Sequence, residues 1–375
     1  MDITITAQRL LKDSEIVNAI KRNFITIDDP NLYLNERRDD LIQPASMDLI
    51  LLDSGSNYPI IELDIEHKYY YERHEDVDDR FVTFWPGYQT EAVVSHLKGY
   101  NGEIIMPCPE LRSTLRRVGL DIGFKLVGLN EDKNAFLFVR NPQDYPVSVR
   151  TGEKIAQVLW KDIGTKISNN RFETVERKEK FGSGRLVTSD SELLELIESG
   201  DLYVSEKECI DRGYVLFHAG NVRTFFNQEH VVIGKNGVIG FDLKRDDAIN
   251  HYLYPGEFSD IETIERIGLS PRVGMQVFYV AKSIDEVKNT LENINRILTL
   301  NSTGGWIDPG YGFGKVGGAP FSVQRKAFTQ PCKIRKGDLV GYGVVWKFPE
   351  PVEKVYSSGR GSHYNEAIGF VGPKK

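Results

Sequence analysis

Cysteine is scarce in this chain. There are three in 375 residues, Cys108, Cys209 and Cys332. The number is odd and no Cys-x-x-Cys spacing occurs, which fits free thiols in a reducing compartment. The seven histidines are scattered, with no His-Glu-x-x-His pair. Also missing is a His-x-Glu followed by Pro-Cys-x-x-Cys, the signature of zinc-dependent nucleobase deaminases. Pro107-Cys108 runs on into Pro109-Glu110-Leu111 without the second thiolate. No zinc, and no metal held directly by side chains, is therefore expected. No window approaches the roughly 18 apolar residues that a membrane helix needs. The first residues mix acids and bases without an apolar run, so no signal peptide is expected. An excess of positive charge is missing too. Lys and Arg number 47 against 54 Asp and Glu, for a net charge of -7. That balance argues against a nucleic acid polymer bound by bulk charge, though not against a small anion held by a few arginines. Together these absences predict a soluble, cytoplasmic protein without a membrane partner.

What is present is ordinary globular material, 40% hydrophobic and 27% charged, in a chain long enough to make two domains the default. Residues 8–24 read as an amphipathic helix with Leu10, Leu11, Ile16, Val17 and Ile20 on one face and Asp13 or Ser14 as a cap. A second capped helix is expected from Thr188 to Ile197, with Ser189 or Asp190 at its N-cap. Ser283 to Leu300 has near-helical spacing and reads either as a helix or as a strand-loop insertion. Elsewhere short apolar runs punctuated by Gly and Pro predict a mainly β protein with a few short helices. Three echoes recur in order. Arg150-Thr151-Gly152 through Trp160 returns as Arg335-Lys336-Gly337 through Trp346. Met47-Asp48-Leu49 pairs with Phe241-Asp242-Leu243, and Gly182-Ser183-Gly184-Arg185 with Ser357-Ser358-Gly359-Arg360. Their similar offsets predict two copies of one β domain, 1–187 and 188–375. Two tandem copies also predict self-association into a homo-oligomer.

Two stretches carry chemistry. In Trp306-Ile307-Asp308-Pro309-Gly310-Tyr311, Pro309 fixes φ and Gly310 permits positive φ, so the Asp308 carboxylate is held in a tight turn beside an aromatic ring. Such a pair suits a sugar and an activated water; the plain alternative is an ordinary Asp-Pro-Gly turn. Arg112-Ser113-Thr114-Leu115-Arg116-Arg117 gathers guanidiniums and hydroxyls in one short turn-to-helix segment. Guanidinium forks match phosphate oxygens, and the plain alternative is a solvated basic helix face.

Ile42-Gln43-Pro44-Ala45-Ser46-Met47-Asp48-Leu49, Arg112 to Leu120, and Trp306 to Gly312 with the downstream stretch Ser357 to Tyr364 together resemble the superfamily of trimeric dUTPases and dCTP deaminases. The likeness runs toward its long bacterial form, in which two dUTPase-like domains are fused. The resemblance implies two tandem distorted β-barrel or jelly-roll domains and a pyrimidine deoxynucleoside triphosphate as ligand, with Mg2+ carried by its phosphates. It implies phosphate contacts from Arg112, Ser113, Thr114 and Arg117. Asp308 would position the attacking water, and Tyr311 would stack on the deoxyribose. Arg360 and Tyr364 would lie on an arm closing over the nucleotide, and Phe181 to Arg185 is similar to such an arm in the first half. The motifs divide between the halves, which predicts a composite site.

One departure bears on the reaction. Deaminases of this family carry a glutamate on the strand after the Asp-Pro-Gly turn, where this chain reads Pro320-Phe321-Ser322-Val323-Gln324-Arg325, with Val323 at the acid's position. The first-half strand Ala135 to Arg140 has no acid either. Three readings stay open. Diphosphohydrolysis of dCTP or dUTP by Asp308 is favoured. A dCTP deaminase with a relocated acid, from Glu110, Glu131 or Glu366, is second. A nucleotide-binding regulator without catalysis is third.

Overall fold

The computed structural model describes residues 8–54, 81–94, 97–101, 105–122, 128–129, 135–162, 165–168, 171–174, 181–225, 230–234, 237–240, 243–245, 250–253, 258–279, 305–326 and 332–356. As the punctuated apolar runs led one to expect, the chain is mainly β with a few short helices. The expected barrels do not close, however; the strands form open sheets.

Strand β1 (Arg9–Leu10) leads into helix α1 (Asp13–Lys21). Ile16, Val17 and Ile20 are buried on its inner face, in line with their spacing. Its cap differs from expectation. Lys12 stands at the N-cap, where its backbone N–H donates to Glu15 Oε2 at 2.9 Å. Asp13 instead accepts the backbone N–H of Lys354 at 2.8 Å, tying the helix to the far end of the chain. Helix α3 (Asp190–Glu198) does begin on Ser189, whose hydroxyl accepts the N–H of Glu192 at 3.3 Å.

In the first half, β2 (Met47–Ser54), β3 (Gln89–Val94), β4 (Ile105–Leu111), β5 (Ala135–Arg140), β6 (Val147–Arg150) and β7 (Lys154–Asp162) carry the sheet. β7 pairs with β2 and β4, β2 with β3, and β3 with β5. Residues from β8 (Gly184–Leu186) onward form β9 (Tyr214–Phe225), β10 (Val231–Gly234), β11 (Phe258–Leu269), β12 (Val273–Tyr279), β13 (Gly305–Ile307), β14 (Ala319–Lys326) and β15 (Leu339–Lys347). Here β15 pairs with β9 and β12, β9 with β11, and β11 with β14. The two pairing orders are the same, with Trp160 on β7 and Trp346 on β15 at corresponding places. β8 stands to β15 as β1 stands to β7. By this correspondence β2 answers to β9; Phe241 and Asp242, the expected echo of Met47 and Asp48, lie outside the described residues. The Gly182 to Arg185 stretch runs into a strand paired with β1 and β15 rather than forming a free arm.

The halves interlock. β1 and β8 pair with each other, so the sheet runs unbroken from β7 to β15. β10 pairs in parallel with β6, and its Val231 and Ile233 join the first hydrophobic core. A separate cluster of Leu10, Ala45, Leu159, Trp306, Trp346 and Phe348 seals the junction. Among the described residues no helix is long and apolar enough to cross a membrane.

Candidate functional site

Where β4 ends, Arg112 takes the N-cap of the short helix α2 (Ser113–Arg117). Ser113 and Thr114 form its first turn and are half-buried. Arg112 Nη1 donates to Asp48 Oδ1 at 3.0 Å and to Gln157 Oε1 at 3.1 Å. Asp48 and Gln157 are register neighbours on β2 and β7, so the sheet itself aims the guanidinium. Arg112 and Arg117 differ in what they leave open. Arg112 keeps 31% of its side chain exposed, whereas Arg117 keeps 11%. Arg117 reaches into the second half, where Nη2 donates to Ser322 Oγ at 3.3 Å and Nε lies 3.9 Å from Asp260 Oδ2.

The Asp308 turn approaches from the other side. β13 pairs with β12, setting Trp306 opposite Gln276. The Trp306 indole N–H donates to Asp308 Oδ1 at 2.8 Å. Gly310 has φ +95°, and a Cβ there would come within 2.1 Å of Val355 Cγ1. The C-terminal segment covers the turn, with the Tyr356 N–H donating to Pro309 O at 2.9 Å. At Gly305, φ is +121° and the Arg116 guanidinium occupies the space where a Cβ would be, 2.4 Å away. Arg116 thus seats α2 on the strand that leads into the turn.

Asp308 is buried, and burial pushes its carboxyl up to about 7. The Trp306 N–H and the Arg112 guanidinium pull it down, while the Asp48 and Glu110 carboxylates push it up. Arg112 and Asp308, from opposite halves, therefore share one electrostatic neighbourhood within a single chain. Beside them runs a buried polar chain. Lys161 Nζ donates to Gln276 Oε1 at 3.1 Å, and Gln276 Nε2 donates to Glu110 Oε1 at 3.1 Å. All three residues are 3% exposed or less, and Lys161 also lies 5.0 Å from the Trp346 ring centroid. A buried charge survives when paired and hydrogen-bonded, and here the partners come from both halves. No periodicity in the sequence pointed to Lys161, Gln276 or Arg116, because their partners are far off in the chain.

Tyr311 is packed in the second core, 5.5 Å from the Tyr356 ring, and its hydroxyl donates to Pro320 O. Val323 is 1% exposed in a small core with Ile261, Val222 and Val340. Arg360, Tyr364, Glu131 and Glu366 lie outside the described residues, as does the 283–300 segment. Among the described residues no group of three or more His, Cys, Asp or Glu is arranged to hold a metal ion.

No family model matches the sequence, and no curated protein matches it. By fold, the chain is similar to the crystal structure of 2'-deoxycytidine 5'-triphosphate deaminase from Agrobacterium tumefaciens, with a TM-score of 0.59 and 14% identity. The match covers 92% of this chain and 99% of that one. The chain has a dCTP deaminase-like fold. The likeness is one of architecture.

Proposed function

We propose that the junction between the halves binds a pyrimidine deoxynucleoside triphosphate, dCTP or dUTP, and hydrolyses it to the monophosphate and pyrophosphate. The observation that carries this reading is that Arg112, partly exposed, and buried Asp308, from opposite halves, lie near enough for the guanidinium charge to act on the carboxyl. The guanidinium, with the hydroxyls of Ser113 and Thr114, takes the phosphates, while Arg117 lines the nucleotide site toward the second half, and magnesium arrives on the triphosphate as part of the substrate. The ionised Asp308 carboxylate receives a proton from water as the water oxygen bonds to the α-phosphorus. The bond from that phosphorus to its bridging oxygen breaks, and pyrophosphate leaves with the oxygen. A carboxyl titrating at about 7 is matched to such a transfer near neutral pH. Tyr311 is assigned to the sugar side of the site, and Arg360 and Tyr364, outside the described residues, to nucleotide contacts.

The proposal includes two tandem dUTPase-like domains, supported by the equal strand-pairing orders, and self-association, which sedimentation would measure. The second reading is deamination of dCTP to dUTP and ammonia by an acid from another strand. It is favoured by the carboxylates that adjoin Ser322 and Arg117 while Val323 is turned into a core. Incubation with dCTP and dUTP plus magnesium separates the readings. Pyrophosphate release supports the first and ammonia release the second. A raised melting temperature with neither product supports a nucleotide-binding regulator, and absence of binding at millimolar nucleotide refutes all three.

A further inference from the structure

β14 shows different residues to its two sides. Val323 packs with Ala219, Val222, Ile261, Ile334 and Val340, whereas Ser322, one residue earlier, receives Arg117 from the first half. Side chains alternate along a strand, so the face that meets α2 is that of Ser322. The neighbouring strands agree. On β11, Ile261 is in the core while Asp260 lies against Arg117, and Glu262 is the register partner of Ser322. On β9, Val222 is in the core and Arg223 is the register partner of Asp260. Asn221 Nδ2 donates to Glu262 Oε2 at 3.2 Å. Three strands thus turn one polar face toward the C-terminal end of α2. Asp260 is buried there at Arg117, while Glu262 is half-buried, with its carboxylate oriented by Asn221.

We propose that Glu262 reads the base of the pyrimidine nucleotide, its carboxylate accepting a hydrogen bond from the exocyclic amino group of cytosine. The assignment rests on the nucleotide-binding function proposed above. α2 separates Arg112 from this face by little more than one turn, roughly 6 Å of helix, so a nucleotide whose phosphates lie at Arg112 reaches the face with its base. A carboxylate is the polar complement of the cytosine amino group. Uracil presents a carbonyl oxygen at the same position, and its lone pairs meet those of the carboxylate. A discrimination on the order of tenfold or more in favour of cytosine follows.

The test is equilibrium binding of the magnesium complexes of α,β-imido dCTP and α,β-imido dUTP to the full chain and to Glu262→Gln. The unaltered chain is expected to favour the cytosine analogue by about tenfold or more. In Glu262→Gln the amide also donates, so the preference is expected to vanish or invert with the melting temperature unchanged. Asn221→Ala, at an exposed position, removes the support of the carboxylate without changing charge and is expected to lower the preference in the same direction. An unchanged preference in both variants, or a uracil preference in the unaltered chain, overturns the assignment and leaves nucleotide binding standing. If neither analogue binds, the proposed function fails and the assignment with it.

Discussion

Asp308 joins stability and the proposed chemistry in one residue. Its carboxyl is raised in the folded state from the ordinary 3.8 to about 7. Between those values the folded chain holds a proton that the unfolded chain has lost, so stability from this group falls as pH rises through the window. Above it the ionised, buried carboxylate costs on the order of 4 kcal/mol relative to its neutral form. Asp308→Asn is therefore expected to melt higher than the unaltered chain at about pH 8, with the gap narrowing steadily toward about pH 4, while losing turnover. Thermal denaturation across that range checks the first part. For the unaltered chain, kcat/KM is expected to rise with pH around a midpoint near 7, the value set by Asp308. His218 acts in the same direction, by losing a stabilising contact rather than by gaining a buried charge. Its hydrogen bond to Glu265, 2.6 Å from Nδ1 to Oε1, raises its pKa in the folded state. Its contribution is complete below the ordinary 6.5 and is lost as pH climbs through the raised value, so His218→Ala is expected to flatten that part of the stability profile.

At the scale of elements, short-range signals were legible and side-chain seating was not. Ser189 and its helix could be read from the sequence because a cap and the N–H it accepts lie within four residues. Replacing Ser189 by Ala is expected to cost about 1 kcal/mol in denaturant unfolding. The Asp308-Pro309-Gly310 turn was legible for the same reason. By contrast, the contact between Gly305 and Arg116 joins residues almost two hundred positions apart. Gly305→Ala would set a Cβ into the guanidinium in a backbone conformation that favours glycine. A loss of about 1–3 kcal/mol is expected, together with weakened nucleotide affinity as α2 shifts. A normal melting temperature and normal affinity in this variant would show that the seating is unimportant. The α1 cap was misread because Asp13 is taken by Lys354, a partner that local sequence does not reveal.

Across the whole molecule the halves are joined by β1 pairing with β8, by β10 docking on β6, and by the chain Lys161–Gln276–Glu110. Gln276→Leu removes the acceptor of the buried Lys161 ammonium and one donor to the Glu110 carboxylate, for which a loss of about 3 kcal/mol is expected. The echo of Trp160 at Trp346 was visible in sequence because turn and strand repeat together. The correspondence of β2 with β9 was not, since it lies in pairing order and the residues have diverged. The division of Arg112 and Asp308 between the halves was legible, but Glu262 was not, because its place depends on which face of β11 looks outward. The central claim is that these halves make one site in which Asp308 turns over a pyrimidine deoxynucleoside triphosphate. Pyrophosphate release from dCTP and dUTP, measured side by side for the unaltered chain and Asp308→Asn under conditions where both bind nucleotide, tests it most directly. Release by the unaltered chain and none by Asp308→Asn is expected; equal release by both, or none by the unaltered chain, would contradict it.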